Sequence, residues 1–468
     1  MSDDIAGLSA IELLRHFRRG TLSPVEATRA ALDRIARFDG ELNAFVLVDE
    51  SAALASARAS EERWRRGGPV GAVDGVPTTI KDMFLTRGWP TRRGSRTSPA
   101  DGPWDDDSPL VARLREQGAV FLGKTTQPEF GWKGVGDSPL TGITRNPWNR
   151  AKTPGGSSAG AAVAAAMGMG ALHAGGDGGG SIRIPAAFTG IYGIKPSFGR
   201  VPNWPGRLPG SITHAGPMTR TVADAALMLT VMAGRDTRDW QALPFEGRDY
   251  TVGLEQGVRG LRVAYSATLG FAAADAAVEK LTAKAAAEFG DFGAMVTEEN
   301  PAIGNPRPAF ELYYSIRFTW LFDMLSEAQR EMLDPGLVAM AQSGRRYDAR
   351  AVLVADSYRN EMAPALDRFF DAHDLLLTPQ MPLPAFDAGH DVPPGRGYES
   401  WLDWSPFTYP FNFSGHPAAS VPCGFVEGLP VGLQIVGPRY REDLVLRASR
   451  AWEAAHPFAM PPLNNRSS

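Results

Sequence analysis

The chain has 468 residues, 43% of them hydrophobic and 21% charged, with a net charge of −4 and an isoelectric point near 6.0. That is the composition of an ordinary globular protein able to bury a large core, and the acidic balance leaves no footprint for nucleic acid or for a membrane surface. Cys423 is the only cysteine, which excludes an internal disulfide and a Cys-rich metal site and suits a reducing compartment.

The N-terminus, Met-Ser-Asp-Asp, carries no charged-then-apolar leader. The longest small-apolar run, Ala159 to Ala174, falls short of the ~20 apolar residues a membrane span needs. A soluble, cytoplasmic protein is the expectation.

Two helices with start signals open the chain. Ser9-Ala10-Ile11-Glu12 is a capping box, and Ser23-Pro24-Val25-Glu26 repeats it with proline where a missing N–H costs nothing. Ala44 to Val48 reads as a strand and Ala52 to Arg66 as a helix, with Glu61 to Arg66 on a solvated face. Beyond Asp74 the pattern alternates. Strands are predicted at Val76–Ile80, Ala119–Leu122, Ala171–Ala174, Leu261–Tyr265, Leu375–Thr378 and Val431–Val436. Helices are predicted at Ser108–Gln117, Ser158–Met169, Thr221–Ala233 and Asp275–Phe289.

This alternation predicts an α/β fold: a central mixed, mostly parallel twisted sheet with helices on both faces. Length alone would suggest two or three domains. No flexible linker, repeat or low-complexity tract divides the chain, so one large domain over 1–468 is favoured. Residues 300–396 read as a less regular, aromatic-rich insertion.

Two motif matches are set aside on physical grounds. Gly118 to Thr125 fits GxxxxGK[ST], but its variable residues, Ala-Val-Phe-Leu, favour strand over a phosphate-cradling loop. Pro128 also opposes a long helix starting at Lys124. Gly156-Ser157-Ser158-Ala159-Gly160 fits the GxSxG elbow with Ser158 as nucleophile. No apolar strand precedes it, yet His373, His390, His416 and His456 follow in order, so an esterase of that type stays as an alternative.

The densest signal lies in two glycine–serine clusters, Gly155 to Gly160 and Gly178-Gly179-Gly180-Ser181. Three glycines before a serine can aim several backbone N–H groups at one point, as an oxyanion hole requires. A serine nucleophile needs a base. His173 sits inside a predicted strand, which favours a core role. Lys81, ending a strand at a turn, can act as base if burial makes it neutral.

These residues, with Asp74-Gly75-Val76-Pro77, Gly123-Lys124-Thr125-Thr126 to Glu129-Phe130, Asn146-Pro147-Trp148, Ser181-Ile182-Arg183-Ile184-Pro185, Gly193-Ile194-Lys195-Pro196 and Gly428 to Gln434, resemble the amidase signature family. The resemblance spans nearly the whole chain and is weakest between about 290 and 400. It implies a helical N-terminal segment (1–70), a signature core (71–235) and a variable substrate-pocket insertion (300–396). It also implies Lys81 as base, Ser157 as intermediary and Ser181 as nucleophile, with a cis Gly156–Ser157 peptide.

The oxyanion hole implied is the N–H groups of Gly178, Gly179, Gly180 and Ser181. The expected reaction is hydrolysis of a small-molecule carboxamide through an acyl-enzyme, with esters and carbamates (urethanes) chemically accessible. The chain departs from the family's common Gly-Thr-Asp-Thr by reading Gly175-Gly176-Asp177-Gly178, and Asp177–Arg183 is expected to be a structural ion pair.

Phe130 and Trp132 are candidate pocket residues. Crowded aromatics at Tyr313–Phe322 and Trp401–Phe413 read first as core. No metal and no cofactor is expected, since no ligand spacing is present. The partner is a small amide-like molecule, with room for a homodimer. The alternative from another class is one component of a transamidating complex that works on charged tRNA. Relatives of that type commonly read Arg-Gln-Pro where this chain reads Arg183-Ile184-Pro185.

Overall fold

The computed structural model describes residues 2–206 and 211–463. In chain order its strands are β1 (Phe45–Val48), β2 (Pro77–Lys81), β3 (Val120–Thr125), β4 (Asp137–Ser138), β5 (Gly142–Ile143), β6 (Leu172–Asp177), β7 (Tyr192–Lys195), β8 (His214–Thr219), β9 (Arg262–Tyr265), β10 (Met295–Glu298), β11 (Leu375–Pro379), β12 (Ala418–Val426) and β13 (Leu429–Val436). All but the β4–β5 ladder join one eleven-stranded sheet, in the order β1-β3-β2-β6-β8-β7-β12-β13-β11-β9-β10.

Both faces of this sheet are apolar and covered. In β3, Phe121 points into one core while Val120 and Leu122 point into another. In β11, Leu375 and Leu377 face the first core and Leu376 faces a third. Side chains alternate across a strand, so a strand buried on both faces reads as a continuous apolar run. The helix Val222–Met232 and the helix Glu442–Ala455 pack into the first core. Helices Pro24–Leu42 and Ala159–Met167 cover the opposite face at the β3 end.

The expected single α/β domain with helices on both faces is what forms, but the sheet is less parallel than predicted. Only the pairings β3–β2, β2–β6, β11–β9 and β9–β10 are parallel; the other six are antiparallel. One cause is local. Glu427 and Gly428 both have positive φ (52° and 77°), a two-residue hairpin turn that makes β12 and β13 antiparallel neighbours.

The 300–396 segment is also more regular than its composition suggested. It holds helices Arg307–Asp323, Pro335–Gly344 and Ala349–Ala372, and most of its aromatic residues pack in or against the third core. Ser108 precedes the helix Pro109–Glu116 without capping it; its Oγ accepts instead from Leu85 N at 2.9 Å. No helix among the described residues is long and apolar enough to cross a membrane.

Candidate active site

The site forms where β2 and β6, hydrogen-bonded parallel neighbours, end side by side. Ligand sites in such sheets lie beyond the carboxyl ends of the strands. Lys81 is the last residue of β2, and Gly178 to Ser181 leave β6 directly after Asp177. Ser157 and Ser158 arrive from the opposite direction, immediately before the helix Ala159–Met167. That helix comes close because Gly160 carries no side chain: a Cβ there would stand 2.1 Å from Ala44 O.

Lys81 Nζ lies 2.7 Å from Ser157 Oγ and 3.0 Å from Ser158 Oγ. The Gly156–Ser157 peptide is cis. Lys81 is 1% exposed, and burial pulls its amine down to about 7 against a weak opposing pull from Asp177. Lys81, Ser157, Gly178 and Ser181 line one cavity of about 800 Å³.

The glycine loop after β6 is organised by Asp177. Its carboxylate accepts from Gly180 N (2.7 Å), Ile182 N (3.2 Å), Asn412 Nδ2 (2.8 Å) and the Arg183 guanidinium (3.0 Å to Nε). Burial alone would raise this carboxyl, but Arg183, with Lys195 and Asn412, holds it well below the usual carboxylate range. The expected ion pair is therefore also a clamp on the loop.

One consequence corrects the predicted oxyanion hole. The Gly180 N–H is already committed to Asp177, whereas those of Gly178, Gly179 and Ser181 have no acceptor among the described residues.

Of the two candidate pocket aromatics, Phe130 lines the cavity and Trp132 does not. Trp132 is packed in the third core, where its ring closes over Gly336. Phe130 is held at φ 51°, a left-handed conformation uncommon outside glycine. Its N–H donates to Arg93 O, and the next residue, Gly131, donates to Pro128 O (both 2.8 Å).

The alternative nucleophile, Ser158, is fully buried and donates its hydroxyl proton to Gly176 O at 3.0 Å. None of His373, His390, His416 and His456 lines the cavity. His173 is in β6 with Nδ1 2.8 Å from Thr79 Oγ1. Cys423 is half-buried in β12, and burial pushes its thiol above its ordinary value. Lys124, from the rejected phosphate-loop match, ends up inside β3. Among the described residues no His/Cys/Asp/Glu group could hold a metal ion.

Residues 26–446 match the family profile described as Amidase. The chain is 37% identical over 461 residues to an acylamidase of Rhodococcus erythropolis, covering 97% of this chain and 96% of that one. The chain belongs to the amidase signature family. It is a hydrolase acting on carbon–nitrogen bonds.

It is also 37% identical over 486 residues to a subunit of the Glutamyl-tRNA(Gln) amidotransferase of Myxococcus xanthus, covering 97% and 98% of the two chains. Among solved structures, a bacterial aryl acylamidase of the same family superposes with a TM-score of 0.91 at 33% identity, over 96% of each chain.

Within this amidase fold some cavity residues belong to the aromatic run marked in the sequence, and others carried no signal there. Gly131, at φ 70°, faces Ser157: a Cβ there would stand 3.1 Å from Ser157 Oγ and 2.9 Å from Met83 Cε. Tyr314 Oη donates to Gly131 O at 3.0 Å and so fixes that wall. Tyr313, Tyr314, Arg317 and Phe318 come from the helix Arg307–Asp323. A spacing of Phe310, Tyr314 and Phe318 would have marked that helix; nothing marked Arg317 as buried.

Proposed function

We propose that the protein hydrolyses small-molecule carboxamides through Lys81, Ser157 and Ser181 and an acyl-enzyme intermediate. The observation that carries this reading is the buried Lys81 amine, drawn down to about 7 and 2.7 Å from Ser157 Oγ at the wall of a cavity shared with Ser181. A base with a pKa near the working pH combines the right protonation state with a useful driving force.

Neutral Lys81 takes the Ser157 proton while Ser157 takes that of Ser181, whose oxygen attacks the carbonyl. The oxyanion is received by the N–H groups of Gly178, Gly179 and Ser181. The proton returns through Ser157 to the leaving nitrogen, and water then hydrolyses the ester on Ser181. Esters and carbamates (urethanes) are accessible to the same steps.

Phe84, Phe130, Tyr314 and Phe318 on the cavity wall suit an aryl group, in keeping with the aryl acylamidase likeness. The likeness to the amidotransferase component supports a second reading, one member of a complex that works on charged tRNA. Arg183-Ile184-Pro185 and the net charge of −4 speak against it.

A burst assay with an activated aryl amide and its matching ester tests both readings. Wild type should cleave both unaided. Ser181→Ala should lose both, and Lys81→Ala should lose the amide reaction most. Full activity in Ser181→Ala contradicts the assignment, and a wild type inert without a partner favours the second reading.

A further inference from the structure

Several charged groups of the cavity lining take no part in the steps above, and Arg317 is the most deeply placed beside the glycine loop. Arg317, on the helix Arg307–Asp323, is 6% exposed and lines the same cavity as Ser181. Its Nη2 donates to Thr213 Oγ1 at 2.9 Å, and its Cζ lies 5.9 Å from the Tyr314 ring centroid. Its Nε has no acceptor among the described residues.

Burial lowers the guanidinium to about 10, with Tyr314 opposing, so it stays a cation at neutral pH. Arg183, also buried, is matched by Asp177 at 3.0 Å. Arg317 has no carboxylate within ion-pair distance among the described residues. The three carboxylates of the cavity lining are engaged elsewhere: Asp177 with Arg183 and Asn412, Asp239 with the N–H groups of Asn203 and Gln241, and Asp356 with the Tyr313 hydroxyl.

A buried cation without an anionic partner is costly. The cation is also open to the reacting end of the cavity. A Cβ on Gly178 would stand 3.7 Å from Thr213 Oγ1 and 3.9 Å from Arg317 Nη1, so the guanidinium and the hydroxyl that holds it lie against the glycine loop. A guanidinium matches a carboxylate with two parallel N–H···O bonds, a fit that a neutral carbonyl cannot make.

We propose that Arg317 is a specificity-determining residue that binds a carboxylate carried by the substrate, so that anionic amides are preferred over neutral ones. The proposal deepens the amide-hydrolysis reading and rests on it.

The test compares butyranilide with two acids of similar shape. N-phenylsuccinamate carries the carboxylate on the acyl side, and 4-butyramidobenzoate carries it on the leaving-group side. On wild type, one acid should exceed butyranilide by about tenfold or more in kcat/KM. Arg317→Met should raise KM for that acid by about tenfold, leave its kcat within about threefold and spare butyranilide, while Arg317→Lys restores part of the preference. Equal handling of all three substrates by wild type overturns the proposal. So does an Arg317→Met variant that slows all three alike.

Calorimetric binding of the two acids separates this failure from failure of the hydrolysis reading. If no substrate turns over, Arg317-dependent binding of an acid upholds the carboxylate site and removes the hydrolysis reading. Binding of neither acid overturns the site.

Discussion

The adjacent parallel strands β2 and β3 each bring a fully buried lysine to the same end of the sheet, and only one of them reaches the cavity. Lys124 Nζ donates to Phe84 O (2.9 Å) and Thr91 Oγ1 (2.7 Å), with Asp82 Oδ1 at 3.3 Å. Lys81 has two serine hydroxyls and no such carboxylate. Burial lowers both amines, but Asp82 supports the charge on Lys124, which settles at about 8 against about 7 for Lys81. On the proposed mechanism burial alone does not make a base; partners that cannot neutralise the charge, together with a cavity to act on, are needed as well.

Exchanging each lysine in turn separates the two roles. Lys81→Met should lower kcat/KM on an aryl amide by about 10⁴-fold with the fold intact, because losing one member of a coupled triad disables the unit. Steady-state kinetics with far-UV circular dichroism checks both halves.

Gly131→Ala comes next. Its Cβ would press on Ser157 Oγ and Met83 Cε in a backbone conformation with φ 70°, and a misplacement of that order costs about 10²-fold in kcat.

Ser158→Ala should cost only about tenfold, since its hydroxyl serves as a fixed hydrogen-bond partner between Lys81 and Gly176. A loss as large as that of Ser181→Ala would restore the elbow reading.

The pH dependence bears on the same contrast. Because the Lys81 amine lies below its ordinary value, the reactive neutral form dominates above about pH 7 and is protonated away below it. The kcat/KM profile should rise by about tenfold per pH unit up to near 7 and then level.

The smallest kinetic effect is expected for Lys124→Met. It should change the rate of the folded enzyme by less than about threefold, yet lower stability in urea by about 3 kcal/mol, because the buried Asp82 loses its cation and keeps only the N–H groups of Arg92 and Gly94.

Much of the scaffold was legible because the signals were local. The capping boxes at Ser9 and Ser23 form as read, both with the reciprocal Glu hydrogen bond. The phosphate-loop match fails for the reason its residues gave, since Ala-Val-Phe-Leu runs into β3. The ordered motifs brought Lys81, Ser157 and Ser181 to one cavity wall.

What stayed hidden depends on long-range partners. The commitment of Gly180 N–H to Asp177 cannot be read from a run of glycines. Trp132 and Phe130 are two residues apart, yet a left-handed turn at Phe130 sends them to different places. Arg317 looks like any helical arginine until the cavity around it is seen, and antiparallel β12–β13 turned on a two-residue Glu427-Gly428 loop.

The central claim is that Ser181 is the residue acylated. Treatment with a fluorophosphonate, followed by intact-mass and peptide mapping, tests it without reference to any particular substrate. The account predicts one adduct, on Ser181, formed faster above pH 7 than below it and absent in Ser181→Ala. An adduct on Ser158, or labelling that persists in Ser181→Ala, would contradict it.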